Sequence, residues 1–390
     1  MFTESETVFQ LSHSNMLLFD VKANKSRILI IKSFFVLALS IGFPVVPVLN
    51  LPFILFIIPF YLKDIYKFIN HFSFASLILV SASFSWVILS FFVYNGVDDL
   101  FFSIKILIKI YLSVFLAIIV ARELSSSLAP LQFWLIFQSI IILISVYSRD
   151  FYDLLILFIS GGSQDVFSHI YGIRAIGFGI YHVDGAILIS FLSFYLIYTS
   201  RNHLFSASSL GWLLSPLMSR TSILVIIPLM FAKSIKLSIL TLSLLILFAI
   251  SLDESYGALY WALELFRNVA IEGKFETVST NANLNMFIWP GGQDFLFGHG
   301  RFFGDDNLFY QHTDLGIFRL IWFGGFFYVC LFFVLNNIYL ARLSYKRSIF
   351  FIYLIVFLFS IIFNMKGLFV SSFYTVFFAI HFSFSKNAKL

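Results

Sequence analysis

Apolar runs of about 15 to 25 residues recur along almost the whole chain, the length that about 30 Å of hydrocarbon demands of a helix. A bilayer offers backbone amides no water to bond, so runs of this kind enter it as helices. Composition agrees: 60% of the 390 residues are hydrophobic and 12% are charged, against about 25% charged in an ordinary soluble domain. The expected fold is therefore all-α, a polytopic integral membrane protein forming one transmembrane domain over 1–390. About twelve spans are expected, near 28–43, 45–62, 72–94, 100–120, 131–147, 185–200, 204–218, 221–235, 236–252, 313–339, 348–363 and 367–384. Glu4, Glu6 and Asp20 stand where a basic n-region would precede a cleavage site, so no cleaved signal peptide is expected.

A pI near 9.1 resembles that of a nucleic-acid binder until the cations are placed. They do not form a patch. Lys22 to Arg27, Lys63 and Lys67, Arg122, Arg201, Lys233 and Lys236, Arg342 to Arg347, and Lys386 with Lys389 flank the spans at alternate ends. Positive-inside bias puts every one of these clusters in the cytoplasm and both termini inside, and no nucleic-acid partner is expected. Two long loops, 148–184 and 253–312, then lie outside. Region 204–235 contains two short spans interrupted by Pro216 and Pro228, with an apex at Ser219-Arg220-Thr221. Counting it as one span would invert the side of everything downstream and oppose the charge bias. Broken helices of this sort surround binding sites in membranes.

Within the second loop, Tyr256, Leu259, Tyr260, Leu263 and Phe266 recur at helical spacing, which predicts a short amphipathic helix near 256–268 on the membrane surface. The following segment is irregular. Phe287, Trp289, Phe295 and Phe297 stand there among Asn, Gln and Asp, a mixture suited to sugars and equally to an aromatic belt at the interface.

The cations outside the cytoplasmic clusters are Arg149, Arg174, Arg220, Arg267, Lys274, Arg301, Arg319 and Lys366. Arg220, Arg319 and Lys366 fall at or just inside helix ends, where a cation is expected to face a wet cavity or an anion, unless it snorkels to headgroups. Guanidinium forks match phosphate oxygens, so converging arginines point to a lipid-linked pyrophosphate. Two His-x-Asp triplets, His182-Val183-Asp184 and His312-Thr313-Asp314, offer a base steadied by a carboxylate, although residues two apart do not face each other on a helix. His299 with Asp305 and Asp306 is too loose a group for a metal, and the single cysteine, Cys330, excludes a disulfide framework or a Cys-ligated metal. No metal and no cofactor are expected. Lys105 and Lys109, one turn apart, face either a cavity or lipid phosphate.

Arg174-Ala-Ile-Gly177-Phe-Gly179 through Asp184, the Ser219-Arg220-Thr221 turn, Leu296-Phe-Gly298-His-Gly300, His312-Thr-Asp314-Leu-Gly316 and Phe323-Gly324-Gly325 together resemble the O-antigen polymerase and ligase superfamily over about 160–330. The resemblance implies a bacterial inner-membrane glycosyltransferase with its site at the periplasmic face. Its partners would be an undecaprenyl-pyrophosphate-linked oligosaccharide, membrane lipids and a chain-length regulator protein. It implies that Arg174 and Arg220 bind the donor pyrophosphate; Arg301, Arg319, His182 and Lys366, taken from the outer-side residues themselves, are further substrate-binding candidates. His312, backed by Asp314, would stand near the acceptor hydroxyl. Ligases of this superfamily more often carry His-Asn at that place, so His312-Thr-Asp314 leans toward a polymerase. The rivals are a ligase delivering polymer to a lipid A core and a polysaccharide flippase. A 60-residue outer loop argues against the flippase.

Overall fold

The computed structural model describes residues 58–63, 66, 101, 104, 128–157, 168–179, 182–199, 206–274, 276–277, 286–305, 310–313 and 315–330. The expected spans near 28–43, 72–94, 348–363 and 367–384, most of that at 45–62, nearly all of that at 100–120, and residues Asp314 and Lys366 lie outside them. Among the described residues the chain is mostly helical, without a β-strand. We number the α-helices in chain order: α1 Ala129–Tyr147, α2 Arg149–Ile156, α3 His182–Thr199, α4 Gly211–Met218, α5 Ser222–Lys233, α6 Ile235–Ser251, α7 Ala258–Ala262, α8 Glu264–Glu272, α9 Gly292–Phe297 and α10 Gly316–Cys330. Only α1 among them is long and apolar enough to cross a membrane alone. At 1.5 Å per residue, α4 and α5 are about 12 and 18 Å long, so neither crosses about 30 Å of hydrocarbon by itself.

The core is built on α3, whose side chains from Ala186 to Ile197 are buried on every face. A helix apolar all round has no solvent-facing stripe to show, and α3 is accordingly enclosed by α1, α4 and α5. Small residues set how closely α4 approaches. A Cβ at Gly211 would stand 2.6 Å from both Ile189 Cγ2 and Ser193 Oγ. Pro216 cannot give α4 the amide that Trp212 O would accept, and the Ser215 hydroxyl, 3.0 Å away, donates to it instead. Ser190 Oγ at 2.6 Å and Ser222 Oγ at 3.2 Å complete a buried hydroxyl cluster that links α3, α4 and α5. Gly211→Ala should therefore lower stability by about 1–3 kcal/mol, as overpacking does. Thermal unfolding in detergent checks this, and an unchanged midpoint would show that the α3–α4 contact has slack.

Helices α1 and α6 turn large apolar side chains outward, among them Phe133, Ile140 and Tyr147 on α1 and Ile239, Leu244 and Leu247 on α6. The opposite side of α6 packs on α5 and α8, where Ile223, Ala249, Leu252, Leu263 and Phe266 form one cluster. Segment 256–268 is not one continuous helix: α7 and α8 meet at Leu263, whose φ of −100° and ψ of 7° interrupt the helical run.

Candidate functional site

The break between α4 and α5 organises the first cluster. Ser219 is extended (φ −159°, ψ 126°), so the last carbonyls of α4 lose their partners in the next turn. One of them, Leu217 O, accepts from Ala175 N at 2.8 Å. That bond sets Arg174 beside Arg220, which occupies the break itself. The rest of the Arg174 segment is held by α1: Ser145 Oγ accepts from Ile176 N at 3.1 Å, and Gln138 bonds both the amide and the carbonyl of Phe178 at 2.9 Å. A buried glutamine on an apolar helix is thus satisfied by backbone in both directions.

Burial and Arg174 together push Arg220 down to about 10, which leaves it charged at neutral pH. Burial likewise lowers Arg174, with Tyr152 acting in the opposite direction. Tyr152 is fully buried on α2 and its phenol is pushed up to about 12, chiefly by burial, against the lowering effect of Arg174. The anion that Arg220 faces is the chain's own Glu264, on the first turn of α8, and the two form an ion pair. Glu264 is buried, and Trp261 of α7 offers its ring 5.9 Å from the Arg220 guanidinium. Gly257 (φ +54°) brings α7 to this place: a Cβ there would stand 2.9 Å from Gly172 O, on the turn that leads into Arg174. Glu264, Trp261 and Tyr152 were not selected from sequence. An acid set in Leu263-Glu264-Leu265-Phe266 is the signal that would have found the first of them.

The second cluster joins α9 to α10. Gly325 has φ +75° inside α10, and nearby Trp322 O and Phe323 O accept from His299 N at 2.6 Å and Gly300 N at 2.8 Å. The approach is close enough to need glycine on both sides, because a Cβ on Gly298 would stand 2.5 Å from Phe323 O. The two glycine motifs 296–300 and 323–325 therefore interlock. His299 Nε2 lies 2.9 Å from Asp294 Oδ2, and its ring stacks on Trp322.

Next to this, Thr313 is buried, its hydroxyl accepts from Leu315 N at 3.3 Å, and Arg319, also buried, donates from Nε to Thr313 O at 3.2 Å. Arg319 thus steadies the turn that carries His312. His312 is exposed and left-handed (φ 52°), as is Gln311 (φ 57°), an uncommon state for residues with a Cβ. Arg301 is a surface residue paired with Asp305 at 3.1 Å. His182 opens α3, with its side chain outside the described atoms. The structure thus brings Arg174 to Arg220, and Arg319 to the His312 turn. Among the described residues no three His, Cys, Asp or Glu side chains gather as a metal site. Compared with protein-family models, curated proteins and solved structures, the chain matches none.

Proposed function

We propose that this chain is a polytopic bacterial inner-membrane glycosyltransferase, a repeat-unit polymerase that moves a growing glycan from undecaprenyl pyrophosphate to a sugar hydroxyl of a new lipid-linked unit. The observation that carries this reading is the meeting of Arg174 and Arg220 at the broken α4–α5 junction, two half-buried arginines whose backbones are joined there by the Ala175–Leu217 bond. Two guanidiniums against the single carboxylate of Glu264 leave a net positive charge at a half-buried place, which suits a phosphate-bearing ligand. The large apolar side chains that α1 and α6 turn outward support the membrane setting. Twelve crossings with both termini inside, and the 253–312 loop in the periplasm, belong to the same proposal.

In this reaction the acceptor oxygen attacks the anomeric carbon as the bond from that carbon to the phosphate oxygen breaks, and the electron pair leaves with the lipid pyrophosphate. Arg174 and Arg220 stabilise the charge that develops there. A base takes the hydroxyl proton, the part that the resemblance gives to His312 with Asp314. Purified full-length protein in liposomes, supplied with lipid-linked units extracted from a strain lacking the gene, should give a ladder of glycan on lipid pyrophosphate. Transfer only to an added lipid A core would make it a ligase, and movement of intact units across the bilayer without chain growth would make it a flippase.

A further inference from the structure

The interlock of α9 with α10 lines up groups that the arginine cluster does not explain. Phe318 and Trp322 are one turn apart on one face of α10. Phe318 carries Trp289 edge-on, with centroids 4.9 Å apart, while Trp322 carries the stacked ring of His299 at 5.9 Å. Trp289 also leans on Phe295 at 5.9 Å, yet the residue is 61% exposed, so it is propped from beneath with surface left open to solvent. Tyr310 stands 5.9 Å from His299 and 5.6 Å from Trp322, so the three rings form a triangle. The His299 ring is thereby held by Trp322, Tyr310, its own backbone bond to Trp322 O and Asp294.

Asp294 fixes the chemistry of that ring. A carboxylate only accepts, so the hydrogen between the two lies on Nε2, and in the neutral imidazole the lone pair is on Nδ1. Among the described residues Nδ1 has no hydrogen-bond partner, and the side chain is about two-fifths exposed. An indole with open apolar surface and an oriented, accessible imidazole nitrogen, packed on successive turns of α10, are what a pyranose requires: its C–H face stacks while one hydroxyl is addressed.

We propose that Trp289, Asp294 and His299 form the acceptor subsite, in which the Trp289 indole stacks the terminal pyranose of the incoming unit and His299 Nδ1 removes the proton from its nucleophilic hydroxyl. This rests on the polymerase reading and moves the base from His312 to His299. The hydroxyl O–H bond breaks as the new glycosidic C–O bond forms, the old bond from the anomeric carbon to phosphate oxygen breaks, and the proton ends on Nδ1. Asp294 is a positioning residue that stabilises the imidazolium until it loses that proton to water.

The test is the reconstituted chain-growth assay, with the lipid-linked units extracted from the deletion strain as probe. His299→Gln keeps an N–H where Nε2 donates to Asp294 but has no base, and kcat should fall about 10²–10⁴-fold with the protein still monodisperse. His299→Ala should fall equally and recover in part with added imidazole, a rescue that a structural role would not give. Asp294→Asn should lower kcat and leave the KM for the acceptor unit unchanged. Trp289→Ala should raise that KM about tenfold with kcat kept, and Trp289→Tyr should restore it. Wild-type rates from His299→Gln, with loss on His312→Ala, would return the base to His312 and overturn the proposal while the polymerase reading stands. No chain growth from the wild-type protein would overturn both.

Discussion

Cells whose only copy of the gene encodes Arg174→Ala should carry single repeat units and no longer polymer, although the protein is made in normal amount. Arg174 stands on a segment pinned by Leu217 O, Ser145 and Gln138, so alanine there removes the guanidinium without removing what holds the backbone. Losing one preorganised donor to a developing oxyanion slows catalysis by about 10²–10³. A drop of that size turns a ladder of many units into the first rung. Arg174→Lys should recover only part of the rate, since an ammonium keeps the charge and lacks the planar fork. In the reconstituted assay the loss should fall on kcat more than on KM, because the extra charge appears only as the bond to phosphate breaks. Full-length polymer from both Arg174→Ala and Arg220→Ala would remove the arginines from donor binding.

Much of the helical architecture was legible because the apolar run is a strong signal and proline a strong punctuator. The end of α1 at Tyr147 and the break at 219–221 both come from local chemistry: Ser148 caps α2, and Pro216 with Ser-Arg-Thr stops α4. What could not be read is contact between residues far apart in sequence. Glu264 meets Arg220 across 44 positions, and nothing near either residue encodes the other. The break at Leu263, which turns one amphipathic run into α7 and α8, sets Trp261 and Glu264 around the same guanidinium. His299 shows a different failure. In the sequence it groups with Asp305 and Asp306, whereas the turn after α9 folds it back on Asp294, and Asp305 goes to Arg301. The motifs at 296–300 and 323–325 were visible separately, and only backbone geometry shows why each needs glycine. Gly325 departs from helical φ where its neighbours' carbonyls leave the helix to meet the 298–300 segment.

Glu264→Ala should be among the most damaging substitutions for stability, because it deletes one member of a buried ion pair and leaves the other in place. The Arg220 guanidinium would then sit beside Arg174 without its carboxylate, and breaking such a pair costs about 3–5 kcal/mol. Arg220 keeps some exposure, so the low end of that range applies. The midpoint of thermal unfolding in detergent should fall by several degrees. Glu264→Gln keeps the shape and one acceptor but not the charge, and should fall between wild type and alanine. The deciding variant removes both charges. Arg220→Leu with Glu264→Leu replaces the pair by apolar groups of similar bulk, next to Leu263, Leu265 and the Trp261 ring, and should be more stable than Glu264→Ala although it carries one more substitution. That order separates an orphaned charge from lost packing. If the double variant is the less stable of the two, the cost lies in the packing of α8, and Arg220 never depended on Glu264 for its place in the fold.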